Sequence, residues 1–313
     1  MTAMNEETSA DESPLDFALV ALAALCFATS SPLAKAARDL SPFAIGAARC
    51  IVAAVAITFL FPRKTFRALA ALSSRARFRL LGAGALLAAH FGCFLYGLAN
   101  TSLSAAASLV SLEPLAVVVG AFFAFGVRPR LAEAVGVAIA AAGAAWIGHG
   151  AGEGENKLIG DFFVVVAVMI YGAYVMAARA MKDEISGWPY AAAVYFIAAI
   201  MLAPLALLQS LHAPAPSPVT WVYVALLGII PTMVGHTLVQ RSARRVHPSV
   251  VALISPGETV GSIGIGMALQ GARPTPSEWS GAVLVILGAT VAVWSSKNMK
   301  VNRNRGGVVD SQD

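Results

Sequence analysis

The sequence contains little charge. Only 12% of its 313 residues are Asp, Glu, Lys or Arg, whereas a soluble domain carries about 25%. Its three cysteines, Cys26, Cys50 and Cys93, show neither a pairing pattern nor the spacing of metal ligands. The H-E-x-x-H, G-x-S-x-G and G-x-x-x-x-G-K motifs are all missing. These absences argue against a soluble domain, an enzyme and an ATP-driven pump, and we expect neither a metal nor a cofactor.

Long apolar runs fill the chain instead. Hydrophobic residues make up 58% of it, and the mean hydropathy is +0.73. Because crossing a bilayer takes roughly 20 apolar residues, these runs predict an all-α integral membrane protein with ten transmembrane helices. Their approximate ranges are 15–36, 42–61, 78–98, 104–126, 131–148, 158–178, 188–209, 218–240, 247–269 and 277–295. A disordered tail is predicted at 1–14 and a second tail at 297–313.

Basic residues are distributed unevenly between the predicted loops. The loops on one side hold Lys35, Arg38, Lys157 and Arg273. The other side receives Arg63, Lys64, Arg67, Arg75, Arg77, Arg79, Arg128, Arg130, Arg179, Lys182, Arg241, Arg244, Arg245, Lys297, Lys300, Arg303 and Arg305. Cytoplasmic loops collect Lys and Arg, so both termini are predicted to be cytoplasmic. The Ala-rich composition favours a bacterial inner membrane. The basic residues form no single patch, so the net charge of +5 indicates no nucleic-acid partner.

The two halves of the sequence repeat each other. The segments RPRLAEAVGVAIAAAG (128–143) and RPTPSEWSGAVLVILG (273–288) match at a separation of 145 positions. The matched pairs are Arg128/Arg273, Pro129/Pro274, Glu133/Glu278, Gly136/Gly281, Gly143/Gly288 and, further away, Asp16/Asp161. Pro114 and Pro256 are separated by 142 positions, which implies a small insertion. The repeat predicts two five-helix units, residues 15–150 and 156–296.

The odd number of helices in each unit has a topological consequence. If the first unit begins in the cytoplasm, the second begins on the other side of the membrane. The units are then inverted, related by a pseudo-two-fold axis in the membrane plane. Secondary transporters use this architecture and bind substrate near the midplane between the repeats. Since one chain carries both units, a monomer suffices.

Several stretches resemble a known family in their order along the chain. They are CFATSSPLAKAA (26–37) with its closing Lys35, Arg49 in IGAARCIVAA (45–54), HFGCFLYGLANTSLSAAASLVSLEPLAVVV (90–119) and GDFFVVVAVMIYGAYVMAAR (160–179). Together they resemble the ten-helix, EamA-type members of the drug/metabolite transporter superfamily. This chain has Phe27 where that family usually has Trp, and lacks the Glu of a common Gly-Glu-Arg-Pro at 126–129 and 271–274. The resemblance implies a metabolite or drug carrier, often an exporter.

The stretch LVSLEPLAVVVGAFFAF (109–125) places Glu113 and Pro114 near the centre of a predicted span. A carboxylate at mid-bilayer costs about 2.5–3.5 kcal/mol on insertion scales, so it needs a partner, a proton or a function. Proline removes a backbone donor, which is tolerated beside a cavity or another helix. We interpret the pair as part of a substrate or coupling site. The alternative is that protonated Glu113 caps the broken backbone.

The second half offers a comparable stretch, LISPGETVGSIGIG (253–266). Ser255, Glu258 and Ser262 share one helical face, beside the second helix-breaker, Pro256. Through the separation of Pro114 and Pro256, Glu258 aligns with Ala116, about one turn from Glu113. Both carboxyl groups can then reach one midplane cavity. Gly257 and Gly261 have the spacing of close helix packing.

Further polar and aromatic residues lie inside predicted spans. His90 and Phe94 share a face, and Thr232, His236 and Gln240 have the spacing of an α-helical stripe. The histidines can relay protons or bind substrate, although a lone buried His is more often a structural donor. The remaining candidates are Arg49 for a carboxylate substrate or a structural ion pair, and Phe91, Tyr171 and Tyr174 for stacking or packing. Ser104, Ser108 and Ser111 lie nearly opposite Glu113, and either face can look inward.

The leading hypothesis is an alternating-access secondary carrier for small amphipathic metabolites such as amino acids or related compounds, and the family resemblance implies export. Its partners are then the lipid bilayer, the substrate and, as a candidate coupling ion, the proton. One alternative is a broad-specificity drug exporter, since an acidic pocket lined by aromatic residues suits lipophilic cations. A second alternative is a non-transporting membrane sensor or assembly partner.

Overall fold

The computed structural model describes residues 14–113, 115–116, 119–120, 122, 131–149, 156–211, 213–239, 254–288 and 290–291. All regular elements in this part of the chain are helices. They are α1 (Pro14–Ala28), α2 (Ser30–Ala36), α3 (Pro42–Leu60), α4 (Pro62–Ala70), α5 (Ser74–Ala99), α6 (Leu103–Val110), α7 (Leu131–His149), α8 (Leu158–Ala180), α9 (Gly187–Ser210), α10 (Pro218–Leu227) with a π-helix (Gly228–His236), α11 (Ile254–Gln270) and α12 (276–288). Pro114, Gln240, most of both tails and the side chains of Ser255 and Pro256 lie outside the described part.

Six helical stretches are long and apolar enough to cross a membrane. They are Ala18–Ala36, Pro42–Leu60, Ser74–Ala99, Leu158–Ala180, Gly187–Ser210 and Pro218–Val239, and they coincide with predicted spans one, two, three, six, seven and eight. The other four predicted spans correspond to α6, α7, α11 and α12, whose described apolar stretches are shorter. The protein is therefore an all-helical, multi-pass membrane protein, and the count of ten helices stays a prediction.

The surface carries large apolar side chains, as expected of a protein surrounded by lipid. Leu25, Phe59, Leu131 and Leu269 are each at least 70% exposed. Alanine, by contrast, makes up much of the buried core. Helix association in a bilayer depends on close packing of small residues. Large apolar side chains on the surface and alanine in the core are therefore what a membrane protein requires.

The main helix contacts join the two halves of the chain. α5 packs against α8, α3 against α9, and α1 against α11 and the π-helix. Since each of these pairs combines a helix before residue 150 with one after it, the two halves share a single interior. A cavity at the centre of the bundle is consequently lined from both halves.

α7 and α12 cross with their backbones in contact. A Cβ atom added to Gly143 would lie 2.9 Å from the carbonyl oxygen of Gly281, and one added to Gly288 would lie 2.6 Å from that of Gly136. Because the higher residue number on one helix meets the lower on the other, the helices run antiparallel. Exchanging the halves converts the first contact into the second. The glycines that reveal the repeat thus lie at a crossing with two-fold character.

The helix that begins at Pro218 changes from α to π geometry over Gly228–His236. Pro231 lies inside this segment and supplies no backbone donor. π-Helices place hydrogen-bonded residues five apart rather than four. Thr232 and His236 both lie in this segment, so the α-helical spacing that the sequence predicts does not hold between them; Gln240 lies outside the described residues.

The start of the π-helix has a counterpart in the first half. A Cβ on Gly84 would overlap Ile197, and a Cβ on Gly228 would overlap Val52, which is the same contact in the two halves. Gly84 and Gly228 are separated by 144 positions, and Val52 and Ile197 by 145. His90 and His236, each further along its helix, are separated by 146 positions.

Candidate functional site

A buried cavity lies between the halves. Its lining consists of Phe27, Ser30, His90, Phe91, Phe94, Val110, Glu113, His236 and Glu258. The lining comes from α1, α2, α5, α6 and the turn after it, the π-helix and α11. About 20 Å³ is open to the centre of a water-sized sphere, which is room for about one water molecule. In this conformation the cavity is too small for a metabolite.

Two helix breaks bring polar groups to the cavity. Between α1 and α2, the Thr29 hydroxyl donates to the Cys26 carbonyl at 2.7 Å, and Ser30 follows at once. α6 ends at Val110, and the backbone amides of Ser111 and Leu112 then bond to carbonyls three residues earlier. Proline disfavours α geometry in the residue before it, so the neighbouring Pro114 explains a tightened turn at Glu113.

Glu113 and Glu258 enter the cavity from opposite halves, with exposed fractions of 7% and 5%. The contacts around them differ from the alignment through the two prolines. Gly172 lies against Ala116, and Gly261 lies against Ala28, which makes Gly261 the counterpart of Ala116.

This match places Ala116 and Gly261 145 positions apart, and Ala28 and Gly172 144 positions apart. At 145 positions Glu113 corresponds to Glu258, so the packing does not follow the expected alignment of Glu258 with Ala116. The small insertion implied by Pro114 and Pro256 is not needed in this alignment.

The two histidines meet in the same cavity. The ring centroids of His90 and His236 are 6.2 Å apart. Nδ1 of His90 lies 3.0 Å from the carbonyl oxygen of Ala167; since a carbonyl only accepts, this nitrogen carries the proton and Nε2 is left for other partners. His236 lies 4.7 Å from the Phe27 ring centroid and 5.1 Å from that of Phe91.

Arg49 lies beside the cavity, fully buried. Its Nε donates to the Thr232 hydroxyl at 2.7 Å, and its terminal nitrogens donate to the Ser30 hydroxyl at 3.3 and 3.4 Å. The guanidinium carbon lies 4.3 Å from the Phe91 ring centroid. Arg49 also attracts Glu258 electrostatically. Arg49 thus ties Thr232 of the second half to Ser30 of the first.

The remaining candidates fall around the cavity rather than in its wall. Tyr171 lies 5.2 Å from the His90 ring centroid and 6.0 Å from that of Tyr174. The serine face of α6 is not part of the cavity lining: Ser111 bonds to Thr259, and the Ser108 hydroxyl donates to the carbonyl of Ser104. On the other side of the helix, Val110 and Glu113 line the cavity. Ser262 donates to the Ala28 carbonyl at 3.0 Å, and so joins α11 to α1.

Two buried polar atoms in the cavity wall have no hydrogen-bond partner among the described residues, Nδ1 of His236 and Oε2 of Glu258. Unpaired buried polar atoms are rare and call for an explanation. With Arg49 close by, the cavity combines a cation, carboxyl groups and aromatic rings. Such a set can hold a small molecule that carries both charged and apolar groups.

A second polar cluster closes one end of the bundle. The end that carries Arg63–Arg79 is called the basic end here, and the other is called the opposite end. The cluster lies at the opposite end. The Lys35 ammonium donates to the Thr101 carbonyl at 2.7 Å, and the Thr101 hydroxyl lies 2.7 Å from Asp161 and 2.9 Å from Asn156. The adjacent Ser102 hydroxyl donates to Glu278. The cluster joins both halves.

Sequence reasoning does not identify this cluster as a unit. The available signal in the sequence is that Asp161 and Glu278 each match an identical residue of the first half at a separation of 145 positions. Their meeting depends on the hairpin between α5 and α6, which carries Thr101 and Ser102 to the start of α8 and α12. Ser30 and Val110 of the cavity wall carried no comparable signal.

Comparisons with known proteins agree with this architecture. The model of the EamA-like transporter family matches twice, over residues 16–148 and 158–294. No curated protein matches. A solved structure titled "Crystal structure of protein" has a TM-score of 0.67 and 19% sequence identity, and the match covers 91% of this chain and 98% of that one. At this identity the similarity is one of fold. The family match spans most of the chain and confirms the resemblance seen in the sequence: this protein belongs to the EamA-like transporter family.

Proposed function

We propose that this chain is a secondary carrier that exports a small amphipathic metabolite, such as an amino acid, by alternating access. The proposal includes ten transmembrane helices in two inverted repeats, a monomeric state and a bacterial inner membrane with both termini in the cytoplasm. The observation that carries it is the central cavity, to which each half contributes one glutamate and one histidine.

The inverted relation is supported by the crossing of α7 and α12. These helices are equivalent under the repeat and run antiparallel, with contacts that exchange when the halves exchange. Inverted halves allow two states of similar energy that differ in which end is open. Between these two states such a carrier passes through a closed conformation, and the small free volume of the cavity fits that conformation.

The lining supports an amphipathic substrate. Arg49 can attract a carboxylate, because its guanidinium suits planar bidentate recognition, while Glu113 and Glu258 can attract an ammonium group. Phe27, Phe91 and Phe94 provide apolar contacts. The same rings and carboxyl groups favour lipophilic cations as a second candidate class, which is the drug-exporter alternative. In that case Arg49 serves as a structural cation.

The proposal is tested by flux from purified protein in proteoliposomes. The vesicles are loaded with a mixed pool of amino acids and amphipathic metabolites, and release is read by mass spectrometry with and without a pH gradient. We expect selective, saturable release that the gradient steepens. Release of lipophilic cations alone moves the substrate to the drug class. No release of any member of the pool favours the sensor alternative.

Glutamine replacements then assign the carboxyl groups. We expect Glu113→Gln and Glu258→Gln each to remove the response to the pH gradient. Asp183→Asn is the control, because Asp183 is exposed between α8 and α9 and lies outside the cavity. Unchanged gradient-driven flux in the double variant Glu113→Gln/Glu258→Gln excludes these groups from coupling.

A further inference from the structure

The segment 61–80 at the basic end is more than a basic loop. It holds six basic residues, no acidic residue and three phenylalanines. The excess of Lys and Arg in cytoplasmic loops accounts for its charge, but not for its phenylalanines or for regular structure. Part of it, Pro62–Ala70, forms helix α4 between the membrane helices α3 and α5.

α4 has two distinct faces. One face carries Thr65, Ala68 and Leu69, which lie against the protein core, and α4 packs against α9. At its start, the Phe61 ring lies 5.6 Å from Trp188. The helix is therefore held on the bundle and does not hang in solvent.

The other face presents cations around an aromatic ring. Arg63, Lys64 and Arg67 are exposed, and Phe66 between them is 63% exposed. Phe78 at the start of α5 adds a second ring that is 77% exposed. Among the described residues Arg79 pairs with Glu184, whereas no ion pair is made by the three cations of α4.

We propose that the outer face of α4 binds the headgroups of anionic phospholipids, with Phe66 inserted at the boundary of the acyl chains. Basic and aromatic residues on one side of a short amphipathic helix suit the membrane surface. Anionic headgroups can pair with Arg63, Lys64 and Arg67, which make no ion pair with the described residues. The same helix contacts α9, so a bound lipid touches an element that packs across the two halves.

The test is an equilibrium titration of the full-length protein in zwitterionic micelles. The probe is phosphatidylglycerol with a fluorescent tail, compared with the phosphatidylcholine analogue. Wild-type protein should prefer phosphatidylglycerol, and Arg63→Gln/Lys64→Gln/Arg67→Gln should weaken that binding by at least about fivefold, the factor for one Lys or Arg near an anionic surface.

The matched control removes the same charge at the opposite end. The exposed residues Arg38, Lys157 and Arg273 are replaced in Arg38→Gln/Lys157→Gln/Arg273→Gln, which should keep the wild-type preference. An equal loss in both triple variants reduces the effect to net charge and overturns the proposal. So does unchanged binding in the α4 variant.

Wild-type protein alone gives a second test that depends on no variant. At 1 M salt the screening length is about 3 Å, so the preference for phosphatidylglycerol should disappear. A preference that survives this salt concentration contradicts an electrostatic headgroup site. Phe66→Ser, which keeps every charge, should weaken binding of both lipids alike.

Discussion

The two ends of the bundle are closed by different chemistry. At the opposite end, the buried residues Thr101, Asp161 and Asn156 and the half-buried Lys35 form a cluster with contacts of 2.7–2.9 Å. Near the basic end, the described residues of the two halves are joined by the ion pair of Arg79 with Glu184 at 2.5 Å. The side chains of this pair are 43% and 30% exposed. Buried polar groups are costly to leave unpaired, whereas exposed ion pairs contribute little.

This difference suggests unequal costs of opening. Separating the halves at the opposite end breaks hydrogen bonds to a buried carboxyl group. The free-energy cost of breaking them is offset only when water reaches that group. Separation at the basic end exposes charges that are already hydrated. In the proposed transport cycle, we therefore expect the opposite end to be the harder one to open.

The largest effect is expected where backbones touch at the opposite end. A Cβ on Gly160 would overlap the carbonyl of Asn100 and lie 2.7 Å from the Cβ of Thr101. Overpacking of a rigid contact costs about 1–3 kcal/mol, so Gly160→Ala should lower the thermal unfolding temperature in detergent. It should also open this end.

The opening can be read from a cysteine at Val110, which lines the cavity, in a background with Cys26, Cys50 and Cys93 replaced by alanine. Labelling of Val110→Cys by an impermeant maleimide from the opposite side should become faster. Gly82→Ala is the control, because no atom lies within 4 Å of its added Cβ. Equal behaviour of the two alanine variants would contradict a closed contact at Gly160.

An effect in the same range is expected from the Thr101 hydroxyl, where no backbone has to move. Thr101→Val keeps the shape of the side chain but leaves Asp161 without its hydrogen-bond partner, and the other oxygen of that carboxyl group already has none among the described residues. An unpaired buried group costs about 1–3 kcal/mol. The closed end should lose stability by this amount, and labelling of Val110→Cys should accelerate roughly tenfold. Thr101→Ser retains the hydroxyl and should label at the wild-type rate.

Much of the architecture could be predicted because membrane solvation imposes strong patterns. Apolar runs reveal spans, and Glu113, Glu258 and His90 stand out because polar groups inside spans are rare. The π-helix could not be predicted from the spacing of Thr232 and His236, since an α period was assumed; Pro231 was the only local hint.

The clusters between distant segments were also beyond sequence reasoning. The contact of Thr101 with Asp161 joins residues 60 positions apart, and it depends on how a hairpin sits against α8. The correspondence of Glu113 and Glu258 is obscured in the sequence for a different reason, because Pro114 and Pro256 suggest an alignment that departs from the regular separation of the repeat.

A weak effect is expected at the basic end. Arg79→Gln, Glu184→Gln and the double variant form a cycle whose coupling energy should lie between about 0.2 and 1 kcal/mol, since both side chains are partly exposed. Thermal unfolding at low and high salt measures it. A coupling above that of the Thr101–Asp161 contact would reverse the comparison between the ends.

The smallest effect is expected at Asp39, on the surface of the opposite end. Hydrogen bonds from the Thr220 hydroxyl and then from the hydroxyl and amide of Ser217 lower the pKa of this carboxyl below its usual 3.8. A lowered pKa contributes stability above the unfolded value, and the contribution is lost as pH falls through the folded pKa. Asp39→Asn should therefore lower the unfolding temperature slightly near neutral pH, and the difference should vanish as the pH falls below 3.8 and through the lowered pKa of the folded state. A difference that grows in acid would mean that the protonated form is the one bound to Thr220, and would remove Asp39 from the charged contacts that distinguish this end.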